Sequence, residues 1–73
     1  MRSNAEALRA IREGQGHTRP TLAAKSGVSA QRIWDLEQSD IGVRPTTARL
    51  LAGALDCEIS DITHSDVPAK AAS

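Results

Sequence analysis

The stretch from Thr18 to Trp34 constrains this chain more tightly than any other part of it. Gly27 follows the apolar pair Leu22-Ala23 and precedes Val28-Ser29, with Ile33 and Leu36 further along. Glycine takes φ > 0 without steric cost, which a three-residue turn between two crossed helices requires. Leu22 and Ala23 give the first helix its apolar side, with a small residue where a second helix must come close. Val28 plugs the corner, Ser29 caps the second helix, and Ile33 and Leu36 tie that helix to a core. The spacing therefore predicts two short helices packed around a tight corner.

The flanking sequence extends this pattern in both directions. Ser3-Asn4-Ala5-Glu6 reads as a capping box, with the Ser3 hydroxyl serving the Glu6 amide. A first helix follows to about Gln15, with Ala7, Leu8 and Ile11 inward and Gly16 as its left-handed stop. Thr18 caps a second helix running to Lys25, and Pro20 falls in its first turn, where no intrahelical donor is needed. Ser29 caps a third helix to about Gln38, and residues 39–44 read as an irregular loop. Pro45 and Thr46 begin a fourth helix, whose Leu50, Leu51, Ala54 and Leu55 follow the three-and-four spacing of a buried stripe. After a connector at 56–59, Ser60-Asp61-Ile62 starts a short fifth helix. Residues 65–73 are small and polar and read as a disordered tail. Nothing alternates with a strand period, so the reading is an all-α domain over residues 1–64.

These features together resemble the Cro/CI-type (XRE-type) helix-turn-helix family. The resemblance rests on Leu8-x-x-Ile11-Arg12, on Gly16 before Thr18, on Leu22-Ala23…Gly27-Val28-Ser29, and on Ile33-x-x-Leu36-Glu37. It continues through Arg44-Pro45 and Leu51-Ala52-x-x-Leu55…Ile59-x-x-Ile62. It implies a five-helix, lambda-repressor-like DNA-binding domain in which helix 29–38 enters the major groove. It also implies a small Cro-like phage or bacterial repressor that binds double-stranded DNA as a homodimer, at least when on DNA. Ile41, Val43 and the helix 4–5 region are then candidates for the dimer contact. An antitoxin-type regulator that also binds a toxin protein, or a helix-turn-helix used purely for protein contacts, are the alternatives.

Composition excludes several other classes. Cys57 is the single cysteine, so an internal disulfide and a thiolate zinc site are both ruled out, and His17 and His64 are too scattered to hold a metal. No cofactor and no small-molecule ligand are expected. No apolar run approaches the ~20 residues of a membrane span, and the N-terminus lacks the layout of a signal peptide. The expected location is cytoplasmic, associated with the nucleoid. An enzyme is not expected either, for want of a nucleophile with a base at workable spacing or a glycine-rich phosphate loop. The net charge is zero, but it divides: residues 1–50 hold eight Lys/Arg against five Asp/Glu, and residues 51–73 hold one against four. The half with the two-helix corner is the basic one, which suits a nucleic-acid partner, although the field is weak.

The third helix carries the candidate binding residues. At 100° per residue, with Ile33 at the core centre, Ala30, Leu36 and Glu37 fall within about 60° of it, and Gln31 and Asp35 near the opposite pole. Gln31 suits a bidentate contact with adenine, and Ala30 is small enough to meet a thymine methyl. The alternative, an ordinary exposed polar role for Gln31, is the weaker of the two given the frame around it. Asp35 either accepts from cytosine or steadies Arg32, three residues back. Arg32 and Trp34 flank the pair and would face the two strands. Trp34, the only aromatic residue, fits packing against a sugar-phosphate strand or under the 39–44 loop.

Thr18, Arg19, Ser29 and Arg44 complete the expected backbone contacts. Arg19 departs from the family pattern, which often has Gln there; it would add charge to a helix N-terminus that already favours phosphate, or be a solvated surface residue. Arg44 matches a position near the backbone or minor groove. Arg12 and Glu37 occupy positions that the resemblance pairs in a structural salt bridge. His17 and Cys57 stand where the family is usually apolar, and both read as structural.

Overall fold

The computed structural model describes residues 1–64, so the tail expected at 65–73 lies outside the described residues. Its elements in chain order are β1 (Arg2–Ser3), α1 (Ala5–Gly14), α2 (Arg19–Ser26), α3 (Ala30–Gln38), α4 (Pro45–Ala54), a single 3-10 turn (Ile59–Asp61) and β2 (Thr63–His64).

The corner between α2 and α3 forms as the spacing requires. Gly27 adopts φ 82° and its N–H closes α2 on the Ala23 carbonyl. Thr18 caps α2 through Thr21 N–H, Ser29 caps α3 through Arg32 N–H, and Val28 is buried between the two helices. Leu8, Leu22, Ile33, Leu36, Leu51 and Leu55 are the large side chains at the centre of the core. Each contributes roughly 1.5–3 kcal/mol when fully withdrawn from water. Because these six come from α1, α2, α3, α4 and the residue that ends α4, the core fixes the orientation of α3 from every side but its outer one.

Four departures from the sequence reading have physical causes. Ser3 does not cap α1. It is buried in β1, where its hydroxyl donates to Ser39 O (3.2 Å) and accepts from Ile41 N–H (3.1 Å). Asn4, an equally good capping residue, takes over by accepting from Ala7 N–H at 3.2 Å.

The fifth helix is reduced to one 3-10 turn. Thr63 and His64 leave it to pair antiparallel with Ser3 and Arg2, and the Thr63 hydroxyl donates to the Ile59 carbonyl. That removes an acceptor a longer helix would use. The 39–44 segment is likewise drawn into extended pairing, since Ser3 N–H donates to Ile41 O and Val43 N–H to Met1 O. The mostly helical domain thus carries a small ribbon with β1 between β2 and residues 41–43. Two-residue strands are too short to reveal a period in the sequence.

Leu50 is the fourth departure: it is 45% exposed instead of buried. The inward face of α4 centres on Ala48, Leu51, Ala52 and Leu55, all at most 2% exposed, which turns Leu50 outward.

Candidate nucleic-acid interface

The outer face of α3 is built by what its inner face must do. Ile33 and Leu36 point into the core, so Gln31 and Trp34 are exposed and Arg32 and Asp35 half-buried. Trp34 is 45% exposed. It shares a shallow depression with Arg19 and Pro20 from the start of α2 and with Ala30 and Gln31 from the start of α3. The indole therefore lies on the α2 side of the helix, and not under the 39–44 segment. Four residues picked from the sequence as DNA contacts meet on this one surface, with Pro20 added between them.

Asp35 and Arg32 do not form the ion pair that their spacing suggests. Asp35 Oδ1 accepts from Gln31 Nε2 at 3.2 Å, across one helical turn. Arg32 Nη2 turns the other way and donates to Gly42 O at 3.1 Å, tying α3 to the segment that leads into α4. Two residues beyond Gly42, Arg44 stands exposed at the N-terminus of α4 with no capping hydrogen bond from its side chain.

The start of α2 is arranged differently from expectation. Arg19 Nε donates to Glu37 Oε1 at 3.1 Å, so the guanidinium is held against α3 and is not free in solvent. Its side chain keeps 32% of its exposure, which leaves part of the charge facing outward. Pro20 has no N–H and Thr21 N–H goes to Thr18, so the Arg19 amide and guanidinium are what this end offers an anion. The Thr18 hydroxyl is engaged in that same cap and with the Thr21 hydroxyl at 2.8 Å.

Beneath this surface lies a buried ionic junction. Arg12 Nε and Nη2 meet Glu37 Oε2 and Oε1 at 2.6 and 3.1 Å, and Arg12 Nη1 donates to His17 O at 2.8 Å. The Glu37 side chain is 0% exposed and that of Arg12 7%. The hydrogen bond to Glu37 holds the Arg12 guanidinium above its ordinary pKa; burial opposes this, and the charges of Glu37 and Glu13 reinforce it. With Arg19 included, Glu37 joins α1, α2 and α3 through one carboxylate. Sequence reading paired Glu37 with Arg12 alone. Nothing in the order of residues marks Arg19 as a second partner, because 18 positions separate the two.

A second latch, which no local sequence signal marks, centres on Asp40. Asp40 accepts from Ala5 N–H at 2.9 Å and lies 2.9 Å from His64 Nε2. The Ala5 hydrogen bond above all, with help from His64 and the charge of Arg2, holds its carboxyl below the usual range, against the opposing effect of desolvation. Cys57 packs against the core, and burial and the nearby Asp61, Asp56 and Glu58 push its thiol up, away from reactivity. Among the described residues no group of His, Cys, Asp and Glu is placed to hold a metal, and no helix is long and apolar enough to cross a membrane.

Comparison with known proteins agrees with this geometry. A family model described as a helix-turn-helix domain matches residues 5–64. The crystal structure of the restriction-modification controller protein C.AhdI from Aeromonas hydrophila is similar, with a TM-score of 0.73 and 30% sequence identity over 78% of this chain and 86% of that one. No curated protein matches the chain.

Proposed function

This chain belongs to the helix-turn-helix domain family, and from that premise we propose that it is of the Cro/CI (XRE) type, a sequence-specific, double-stranded DNA-binding transcription regulator of bacterial or phage kind. The observation that carries the proposal is the outer face of α3. Gln31 and Asp35 form its crest, Ala30 and Trp34 flank them on the α2 side, and Ile33 and Leu36 fix it from beneath. A helix about this wide fits the major groove, roughly 12 Å across, and Gln31 at its start suits the hydrogen-bonding edge of adenine. On this reading Arg19 from the start of α2, Arg32 from α3 and Arg44 from the start of α4 serve as the cations for phosphate, with Thr18 and Ser29 at the starts of α2 and α3. Similarity to a restriction-modification controller protein supports control of transcription as the use of this surface. A helix-turn-helix that only docks on other proteins would present an apolar crest, whereas this one is polar.

On this reading the protein represses by occupying its site as a two-fold pair, with half-sites about one helical turn apart. Leu50 is the apolar side chain that α4 leaves available to a second copy, and Ile41 is partly covered. Val43 is 7% exposed and committed to the protein's own core, so it drops out as a dimer contact. Selection of sites from a random duplex library at moderate salt tests the proposal. Recovery of a two-fold motif is the expected result, and the absence of any enriched sequence would refute it.

A further inference from the structure

Asp35 puts a negative charge on the surface that would face DNA, where phosphates repel it. Its hydrogen bond is not with a cation: Arg32 has turned away to Gly42 O, and Asp35 Oδ1 accepts from Gln31 Nε2. We propose that Asp35 is the positioning residue of Gln31, fixing which way round the Gln31 amide faces and thereby making the base it reads adenine and not guanine. The inference rests on α3 being the reading helix.

The chemistry of the two groups supplies the argument. An ionised carboxylate only accepts hydrogen bonds, while the two ends of an amide differ, one accepting and one donating. Nε2 must therefore be the end turned to Asp35. Gln31 then offers outward its Oε1 acceptor and the second Nε2 hydrogen. That pair matches adenine, which presents an N6–H donor and the N7 acceptor. Guanine presents two acceptors, O6 and N7, and an unheld amide could rotate to give it both hydrogens. Because the two residues are one turn apart on the same helix, the contact is made before DNA arrives. Ordering a long side chain beforehand avoids a cost on binding that corresponds to roughly a 2- to 10-fold change in affinity. Asp35 thus lowers affinity for every sequence through its charge and raises discrimination at one position through its hydrogen bond.

Site selection from one random duplex library, at fixed salt, with the wild-type chain, Gln31→Ala, Asp35→Ala and the double variant separates these effects. Both positions are on the helix surface, and circular dichroism checks that each variant is folded. The wild type should enrich adenine at one position of each half-site, and Gln31→Ala should lose that preference. Asp35→Ala should lower the adenine-to-guanine ratio at that same position by roughly 2- to 10-fold while tightening binding to unselected duplex. In the Gln31→Ala background, removing Asp35 should change no base preference further. An Asp35→Ala variant that keeps the wild-type ratio, or alters a different position, would overturn the proposal and leave α3 as the reading helix. So would a Gln31→Ala variant whose altered position was not adenine. A wild type that enriches nothing would remove both the proposal and the reading beneath it.

Discussion

Replacing Arg12 by Met should destabilise the protein more than replacing Arg12 and Glu37 together. In the Arg12→Met variant the Glu37 carboxylate, with a 0% exposed side chain, loses contacts of 2.6 and 3.1 Å and keeps only Arg19 on Oε1. Breaking one side of a buried pair costs about 3–5 kcal/mol, because the survivor is left desolvated. The remaining Arg19 contact puts the expected loss near the lower end, about 3 kcal/mol. A chain of this length has about 4–11 kcal/mol of stability in total, so the variant should be close to unfolding at 37 °C. For so small a domain, 3 kcal/mol lowers Tm by about 12–24 °C.

In the double variant Arg12→Met/Glu37→Leu no buried charge remains, and Arg19, already 32% exposed, turns to water. Its Tm should lie between those of the wild type and Arg12→Met. Thermal and urea unfolding followed by far-UV circular dichroism measures both. A double variant as unstable as the sum of the two single losses would refute the reasoning, as would an Arg12→Met loss below about 1 kcal/mol.

Arg44→Ala should weaken DNA binding across all sequences and reduce the salt slope by about one, without changing Tm; a change of preference at one base would contradict its phosphate role. Arg19→Ala should do the same and also lower Tm, since Glu37 loses a cation, and an unchanged Tm would show that the Arg19–Glu37 contact contributes nothing. Asp40 has a folded pKa below its unfolded one, so its contribution is present above the unfolded value and is lost as pH falls through the folded value. Asp40→Asn should accordingly flatten the acid limb of a urea-midpoint profile; an unchanged acid limb would refute the latch. If the proposed two-fold pair forms through Leu50, Leu50→Lys should leave the fold intact and reduce occupancy of a full site to one copy in band-shift titration; unchanged double occupancy would exclude Leu50 as the contact.

Where the sequence was legible, the reason is local. Thr18, Gly27 and Ser29 act within three or four residues of themselves, so capping and turn rules located α2, the corner and α3 closely. The same local rules placed Gln31 and Trp34 outward once Ile33 was assigned to the core. Ser3 was misread because its hydroxyl is claimed by Ser39 and Ile41, a pairing across more than 35 residues that competes with a perfectly good local cap. The fifth helix was misread for the same reason, since β1 captures Thr63 and His64. Arg19–Glu37 is also non-local. Gln31–Asp35 is different: their one-turn spacing is plain in the sequence, but opposite charge favours Arg32 as the partner for Asp35. Arg32 went instead to a carbonyl of the following segment, and the amide was left to take the carboxylate.

The central claim is that the outer face of α3, with the start of α2 beside it, is the surface that meets DNA. Titrating ¹⁵N-labelled protein with its selected duplex, and following amide shifts, tests this most directly. The account predicts the largest changes at Arg19, Ala30, Gln31, Trp34 and Asp35, the Trp34 indole N–H among them, with Arg44 also moving. Shifts concentrated on the exposed side of α1, at Glu6, Arg9 and Glu13, with α3 unaffected, would contradict it.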